Sequence, residues 1–218
     1  LQRYRGGTTA MIFQDPMLAL DPVYTIGRQI EEAILAHRGG GAAARERAHD
    51  LLDKVRIPSP RARLDNYPHE MSGGMRQRAM IALALACTPK LILADEPTTA
   101  LDATVQIQVL LILRELQRAM GMSALFVTHD LGVAAEVCDR IAVMYAGRIV
   151  EIGSAEDILR RPQHPYTRAL LASTIHGDLR GQRIEGIRGA PPDLANLPAG
   201  CAFRERCPEA EARCAQHC

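Results

Sequence analysis

The sequence has no hydrophobic stretch long enough to cross a lipid bilayer. Its longest apolar run, which ends at Cys87, is far shorter than the roughly 20 residues that a membrane-spanning helix needs. The first residues do not have the pattern of a leader segment, and we expect none. The chain also has no strong excess of either charge, since 26 basic residues oppose 25 acidic ones. This balance gives no electrostatic reason to expect binding to nucleic acid or anionic lipid. Any membrane-spanning helices would therefore have to come from partner chains.

Two carboxylates follow a short apolar segment near the middle of the chain. The segment, LILA, covers residues 91–94 after Pro89-Lys90, and Asp95 and Glu96 come next. An unbroken apolar run of this length predicts a strand that is buried on both faces. Open α/β sheets bind ligands at the carboxyl ends of their strands. Asp95 is thus a candidate ligand for Mg²⁺, and Glu96 a candidate base for the water that attacks a γ-phosphate. Asp-Glu alone would fit an ordinary acidic loop equally well; the PTTALD that follows (97–102) disfavours that interpretation.

A glycine turn precedes this strand. Ser72-Gly73-Gly74 opens a predicted helix, Met75 to Ala86, whose second half is apolar. Glycines let the backbone approach an anion closely, and free N–H groups at a helix start attract phosphate. SGG by itself is usually only a turn, but the buried helix after it makes a phosphate contact plausible.

Together these segments resemble the nucleotide-binding subunit of an ABC transporter. MSGGMRQR (71–78) resembles the signature motif, although Met71 and Met75 replace the usual Leu and Gln. LADEPTTALD (93–102) resembles the Walker B motif with the D-loop. FQDP (13–16) resembles the Q-loop and FVTHD (126–130) the switch-histidine segment. Four motifs in family order make a chance resemblance negligible.

The resemblance implies a role for each candidate residue. Glu96 and His129 would be catalytic, with His129 contacting the γ-phosphate and orienting the water. Asp95 and Gln14 would bind Mg²⁺, and Gln14 would link the ion to a membrane partner. ATP would be contacted by Gln14, Ser72, Gly73, Gly74, Met75 and Asp102, the last of which would also help join two subunits.

The family resemblance also predicts the fold and its domains. We expect an α/β P-loop NTPase core of the ABC ATPase type, with an inserted helical subdomain and a small cysteine-containing extension. Residues 1–24 would end the N-terminal part of the core and carry the Q-loop. Residues 25–88 would form the helical subdomain, 89–153 the rest of the core, and 154–218 the extension. The length of 218 residues and the 47% apolar content suit one domain with an appendage.

The phosphate-binding loop of this family, G-x-x-x-x-G-K-[ST], does not occur in the sequence. The chain begins at Leu1, and its first family motif, at Gln14, normally follows that loop by some tens of residues. We therefore expect the chain to be a fragment that lacks the N-terminal part, and expect the fragment alone not to hydrolyse ATP.

The C-terminal region narrows the subfamily. QHPYTRALLAS (163–173) and the later RGAPP and GCAFRERCP resemble oligopeptide/dipeptide permease ATPases and their nickel-transporting relatives. In some members this extension carries a [4Fe–4S] cluster. Clustered thiols in a protein of a reducing compartment favour a bound metal over disulfides. These cysteines lack the C-x₂-C pair that is common in structural zinc sites, which favours an iron–sulfur cluster over Zn²⁺. Zn²⁺ or no metal remain alternatives, and Cys218 as a bystander is another, because the fourth cysteine of the family usually lies further downstream. The candidate ligands are Cys201, Cys207, Cys214 and Cys218.

The resemblance implies an ATP-hydrolysing subunit of an ABC importer for oligopeptides or dipeptides, using ATP and Mg²⁺. Its partners would be a homologous ATPase subunit, identical or different, two transmembrane permease subunits and an extracytoplasmic solute-binding protein, with no nucleic acid. It would lie on the cytoplasmic face of the inner membrane. Alternatives are an importer of nickel or another small solute, a soluble ABC protein that acts on nucleic acid, and a subunit whose own site is inactive. The near-zero charge disfavours the nucleic-acid alternative, and the retained Asp95, Glu96 and His129 disfavour the inactive one.

Overall fold

The computed structural model describes residues 4–38, 41–99, 101–173 and 186–216. Its strands are β1 (Thr9–Ile12), β2 (Leu91–Asp95), β3 (Ser123–Val127), β4 (Arg140–Tyr145) and β5 (Arg148–Ser154). Its α-helices are α1 (Pro16–Ala19), α2 (Ile26–Arg38), α3 (Gly41–Lys54), α4 (Pro60–Arg63), α5 (Gly73–Leu85), α6 (Ala103–Met120), α7 (Leu131–Val137), α8 (Ala155–Arg160) and α9 (Pro165–Ala172). Short 3₁₀ helices cover Pro68–Glu70, Arg204–Arg206 and Ala212–Ala215. No helix in these ranges is long and apolar enough to cross a membrane.

The chain forms two compact units, residues 1–129 and 130–218. In the first unit, β1, β2 and β3 form a parallel sheet in that order. Helices α1 to α5 all lie in sequence between the paired strands β1 and β2. The expected insertion of helices into an α/β core is therefore present in the topology. The proposed domain boundaries at residues 24, 88 and 153 stay predictions.

The core of the first unit lies between one face of this sheet and the helices. Ile12 and Ala94 occupy neighbouring positions on that face and are almost completely buried. The apolar face predicted for α6 also packs into this core: Val109, Ile112 and Leu116 are buried there, and Val105 contacts it.

The opposite face of the sheet corrects one expectation. Strand β2 was predicted to be buried on both faces, but Leu91 and Leu93 are only partly buried. Met11 and Leu125, which flank Leu93 in the sheet register, are 40% and 57% exposed. The sequence run is uniformly apolar, whereas the helices of this unit cover mainly the face of Ile12 and Ala94. An apolar run alone does not reveal how much cover each face receives.

The second unit is built around a hairpin and an aromatic cluster. Strands β4 and β5 pair antiparallel across the Ala146-Gly147 turn, where both residues have positive φ. This combination is typical of a tight hairpin turn. Tyr145 stacks at an angle against Tyr166, and both meet the edge of the buried Phe203. The predicted hairpin is therefore present, and the aromatic side chains tie the C-terminal segment to it.

Candidate functional site

The parallel sheet brings three of the predicted site residues to one edge. Gln14 follows β1 by two residues, Glu96 follows β2 directly, and His129 follows β3 by two residues. Because β1, β2 and β3 are neighbours and run in the same direction, their carboxyl ends lie side by side. Residues up to 115 positions apart in the sequence thus meet at the point where open α/β sheets bind ligands.

Glu96 is the centre of this cluster. Gln14 Nε2 donates a hydrogen bond to Glu96 Oε2 at 3.0 Å, and Thr99 Oγ1 donates to the same oxygen at 2.9 Å. His129 Nδ1 lies 2.9 Å from the other oxygen, Oε1. The carboxylate is therefore fixed from three directions. A carboxylate offers about four acceptor positions, so Glu96 keeps capacity for one more donor, such as a water molecule.

The backbone of Glu96 has an uncommon conformation. Its φ is +42°, a region that residues other than glycine rarely adopt and that often occurs at functional sites. Two hydrogen bonds maintain it: the Glu96 N–H donates to the carbonyl of Val127 at 2.9 Å, and the Thr99 N–H donates to the carbonyl of Glu96 at 3.3 Å. The chain thus turns sharply after β2 and directs the Glu96 side chain toward Gln14 and His129.

These contacts also control the ionisation of Glu96. The hydrogen bond from His129, followed by the one from Thr99, lowers the pKa of the Glu96 carboxyl below its ordinary value. Partial desolvation opposes this shift but does not reverse it. Glu96 is accordingly ionised at neutral pH, which is the form that a general base requires.

Asp95 occupies the last position of β2, one residue before this cluster. Its side chain is partly exposed at the strand end, beside Val127 in the sheet register. A carboxylate at this position is open to a cation, and its role as a Mg²⁺ ligand stays a prediction.

The glycine turn begins α5, as expected. Ser72 is the N-cap, and its Oγ accepts a hydrogen bond from the Met75 N–H at 3.3 Å. A Cβ atom placed on Gly74 would lie 2.6 Å from Val105 Cγ1, whereas one on Gly73 would meet only Leu101 Cδ2 at 3.9 Å. Gly74 is therefore required by the close packing of α5 on α6, and Gly73 is not. The phosphate contacts of the turn stay predictions.

Asp102 has a defined structural role. It is the N-cap of α6, and its carboxylate accepts a hydrogen bond from the Val105 N–H at 3.0 Å. Helix capping accounts for an acidic residue at this position. The expected contribution of Asp102 to a subunit interface or to ATP binding is not tested by this contact.

Sequence reasoning missed two residues that contact the site. Thr99 was part of a recognised motif, but its hydrogen bond to Glu96 depends on the turn after β2. Gln77 lies in α5, is 2% exposed, and donates from Nε2 to the carbonyl oxygen of Pro97. The only available signal was a polar residue at a position of α5 whose neighbours on the same face are apolar.

The cysteine cluster is described only in part. Cys201, Cys207 and Cys214 form no disulfide, and the Cys201 N–H donates to the Cys214 carbonyl at 2.9 Å. Within the described residues, the three thiols do not all lie within 4.8 Å of one another, which disfavours a preformed site in which all three bind a single ion such as Zn²⁺. A four-iron cluster separates its ligands more widely and is not tested by this distance. Cys218 lies outside the described residues.

Comparison with known protein families agrees with this geometry. A family model described as "ABC transporter" matches residues 2–99. A second, described as "Oligopeptide/dipeptide transporter, C-terminal region", matches residues 150–214. The chain thus carries an ABC transporter segment and the C-terminal region of oligopeptide/dipeptide transporters. The resemblance drawn from the sequence motifs is thereby confirmed.

Relatives within the ABC family are close and match nearly the whole chain. A probable peptide ABC transporter ATP-binding protein of Sinorhizobium fredii is 55% identical over 98% of this chain and 64% of its own length. The dipeptide transport ATP-binding protein of Bacillus subtilis is 53% identical over 94% of this chain and 61% of its own length. The dipeptide transport ATP-binding protein of Escherichia coli is 51% identical over 96% of this chain and 64% of its own length. The chain thus spans slightly less than two thirds of the length of these relatives.

Solved ABC cassettes share the fold. The dimeric ATP-binding cassette MJ0796, bound to ADP and phosphate, matches with a TM-score of 0.61 and 30% identity, over 70% of this chain and 65% of that one. A cassette of Clostridium perfringens from the cbiONQ transporter complex matches with a TM-score of 0.64 and 25% identity. This match covers 71% of this chain and 60% of that one. The predicted ABC ATPase fold is therefore confirmed.

Proposed function

We propose that this chain is part of an ATP-binding and ATP-hydrolysing subunit of an ABC importer that powers uptake of oligopeptides or dipeptides. The observation that carries the proposal is the cluster around Glu96. One ionised carboxylate is held by Gln14, Thr99 and His129 at the carboxyl edge of a parallel sheet. The names of the relatives and the matched C-terminal family model support peptides as the cargo.

In this proposal the side chains of the cluster divide the tasks of ATP hydrolysis among them. Asp95 and Gln14 would hold Mg²⁺, which would supply positive charge to stabilise the transferring phosphate. Glu96 accepts a proton from the attacking water, and Gln14 and Thr99 keep its carboxylate oriented. His129 contacts the γ-phosphate and lowers the pKa of Glu96.

The second half of each nucleotide pocket comes from a partner. The Ser72-Gly73-Gly74 turn presents the N-terminal end of α5 to the ATP bound by a homologous subunit. Asp102 lies near the start of α6, against which this turn packs, and is placed to face the same partner. ATP closes the dimer, and hydrolysis reopens it. The dimeric state of the similar MJ0796 cassette is consistent with this arrangement.

An exposed apolar patch follows the Q-loop and is a suitable contact for a membrane subunit. Leu18 is 87% exposed and Val23 69% exposed, and Met17 and Tyr24 are also exposed. Large apolar side chains that cluster on a surface often mark an interaction site. We assign this patch to the permease subunits, and with it a location at the cytoplasmic face of the inner membrane. An extracytoplasmic solute-binding protein would deliver the peptide.

The proposal also includes an iron–sulfur cluster that is bound by Cys201, Cys207, Cys214 and Cys218. The main-chain bond between Cys201 and Cys214 brings two of these residues close, as shared ligation requires. Anaerobically purified protein should contain iron and absorb visible light, and Cys201→Ser should reduce both. Iron-free protein with unchanged stability would argue against the cluster.

The decisive experiment replaces Glu96 in the full-length gene product, assembled with its permease subunits. Glu96→Gln keeps the size and one acceptor oxygen but removes the base, so ATP turnover should fall by about 100-fold or more while ATP still binds. The control is Glu115→Gln, which removes an exposed carboxylate paired with Arg56 and should keep turnover. Unchanged turnover in Glu96→Gln would refute the role of Glu96 as the base.

A further inference from the structure

Gln77 is a buried polar side chain in a helix whose buried face is otherwise apolar. It is 2% exposed, and its buried neighbours on α5 include Met80 and Ile81. A buried amide destabilises the folded state unless it forms hydrogen bonds. Its presence at this position therefore requires a specific partner.

That partner is the loop that follows Glu96. Gln77 Nε2 donates to the carbonyl oxygen of Pro97, which is itself buried together with Thr98. Proline has no N–H group and a restricted φ, so the carbonyl is the only main-chain hydrogen-bonding group that Pro97 offers. The Gln77 amide thus fixes the loop one residue after Glu96.

The far end of this loop contacts the Glu96 carboxylate. Thr99 donates from its side chain to Glu96 Oε2 and from its main chain to the Glu96 carbonyl. Pro97 lies between these two residues, so a shift of its carbonyl would displace Thr99 relative to Glu96. One turn before Gln77 on the same helix, Gly74 packs closely against Val105 of α6. Helix α5 is therefore in contact with the start of the segment that joins β2 to α6 and with the first turn of α6 itself.

We propose that Gln77 is a positioning residue for Glu96: through Pro97 and Thr99 it couples the helix that carries the glycine turn to the carboxylate of the same chain. The inference rests on the proposed function. It means that α5, whose first residues meet ATP in the neighbour's pocket, also adjusts the base in its own pocket.

The test compares two equally buried positions of α5 in the full-length protein with its permease subunits. Gln77→Met removes the amide at similar volume, and Met80→Leu changes packing but removes no hydrogen bond to Pro97; both wild-type side chains are 2% exposed. Gln77→Met should lower kcat about tenfold, the value of one well-placed hydrogen bond, with KM for ATP nearly unchanged. Met80→Leu should keep kcat. A folded Gln77→Met variant with wild-type kcat overturns the proposal.

Two further variants separate positioning from a loss of folding. If Gln77 acts through Thr99, then Gln77→Met and Thr99→Val should affect kcat less than additively when combined; additive effects contradict the route through Thr99.

In Gln77→Glu, a neutral carboxyl can donate to Pro97 and an ionised one cannot. Since burial raises a carboxyl pKa, kcat relative to wild type should rise as the pH falls from about 8 to 6, and a constant ratio counts against the proposal.

Failure of this inference differs from failure of the proposed function. If Glu96→Gln abolishes turnover but Gln77→Met does not slow it, only the role of Gln77 is wrong. If Glu96→Gln leaves turnover intact, the assignment of the base is wrong, and the role of Gln77 falls with it.

Discussion

Two adjacent glycines in the signature turn should respond in opposite ways to the same substitution. Gly73 and Gly74 both lie in the first turn of α5. A new methyl group at position 73 would meet only Leu101 Cδ2 at 3.9 Å, an ordinary contact, whereas at position 74 it would lie 2.6 Å from Val105 Cγ1. We predict that Gly73→Ala is tolerated or stabilising and that Gly74→Ala is destabilising.

The magnitude follows from two opposing effects. Alanine is favoured over glycine within a helix by about 0.5–1 kcal/mol, and this gain applies to both variants. Overpacking a tight contact costs about 1–3 kcal/mol, and the β-branched Val105 has little rotameric freedom to yield. Gly73→Ala should therefore gain about 0.5 kcal/mol and Gly74→Ala lose about 1 kcal/mol, a difference of about 1.5 kcal/mol.

Urea unfolding of both variants measures this difference as a shift in midpoint at constant slope. A third variant, Gly74→Ala with Val105→Ala, removes the clashing methyl groups, so the added Cβ should no longer destabilise when compared with Val105→Ala alone. Equal midpoints for Gly73→Ala and Gly74→Ala would show that α5 does not approach Val105 as closely as described, and the reasoning would fail.

Two more predictions concern the ionisation of Glu96 and the cysteine-containing segment. His129→Ala removes the largest cause of the lowered Glu96 pKa, so that pKa should rise toward its ordinary value, and by more than in Thr99→Val. In the wild type, the contribution of these contacts to the stability of the folded state is present above the unfolded-state pKa of Glu96 and is lost as the pH falls through its lower folded-state pKa. NMR titration of the Glu96 carboxyl in the wild type and both variants measures the three pKa values. An unmoved pKa in His129→Ala contradicts the prediction. Gly200 has φ +75°, and a Cβ there would lie 2.5 Å from the Cys214 carbonyl oxygen, so Gly200→Ala should expose the Cys201 amide to hydrogen exchange. Gly186→Ala, where a Cβ meets nothing within 4 Å, should leave that exchange unchanged.

The family motifs in the sequence were sufficient to predict which residues belong to one site. The structure shows why: Gln14, Glu96 and His129 each follow a strand, and parallel strands place such positions together. Local rules predicted the start of α5 at Ser72 and the apolar face of α6, because capping and helical periodicity depend on nearby residues.

The contacts that depend on loop conformation could not be predicted. Thr99 reaches Glu96 only because Glu96 adopts a positive φ, and no pattern in the sequence indicates that conformation. Gln77 was missed because its partner, Pro97, lies 20 residues away in a loop whose path is set by tertiary packing. The burial of β2 was overestimated for the same reason, since cover over Leu93 depends on where the helices pack.

The composite pocket is tested most directly by separating nucleotide binding from subunit association in Gly73→Glu. Position 73 has room for a Cβ atom, and an acidic residue in the first turn favours the helix, so the variant should fold. In the full-length protein, its charge should prevent MgATP-dependent association with the homologous subunit, measured by sedimentation, while the isolated subunit binds ATP with wild-type affinity. If Gly73→Glu instead weakens ATP binding by the isolated subunit, or associates normally, the glycine turn does not complete a neighbour's site.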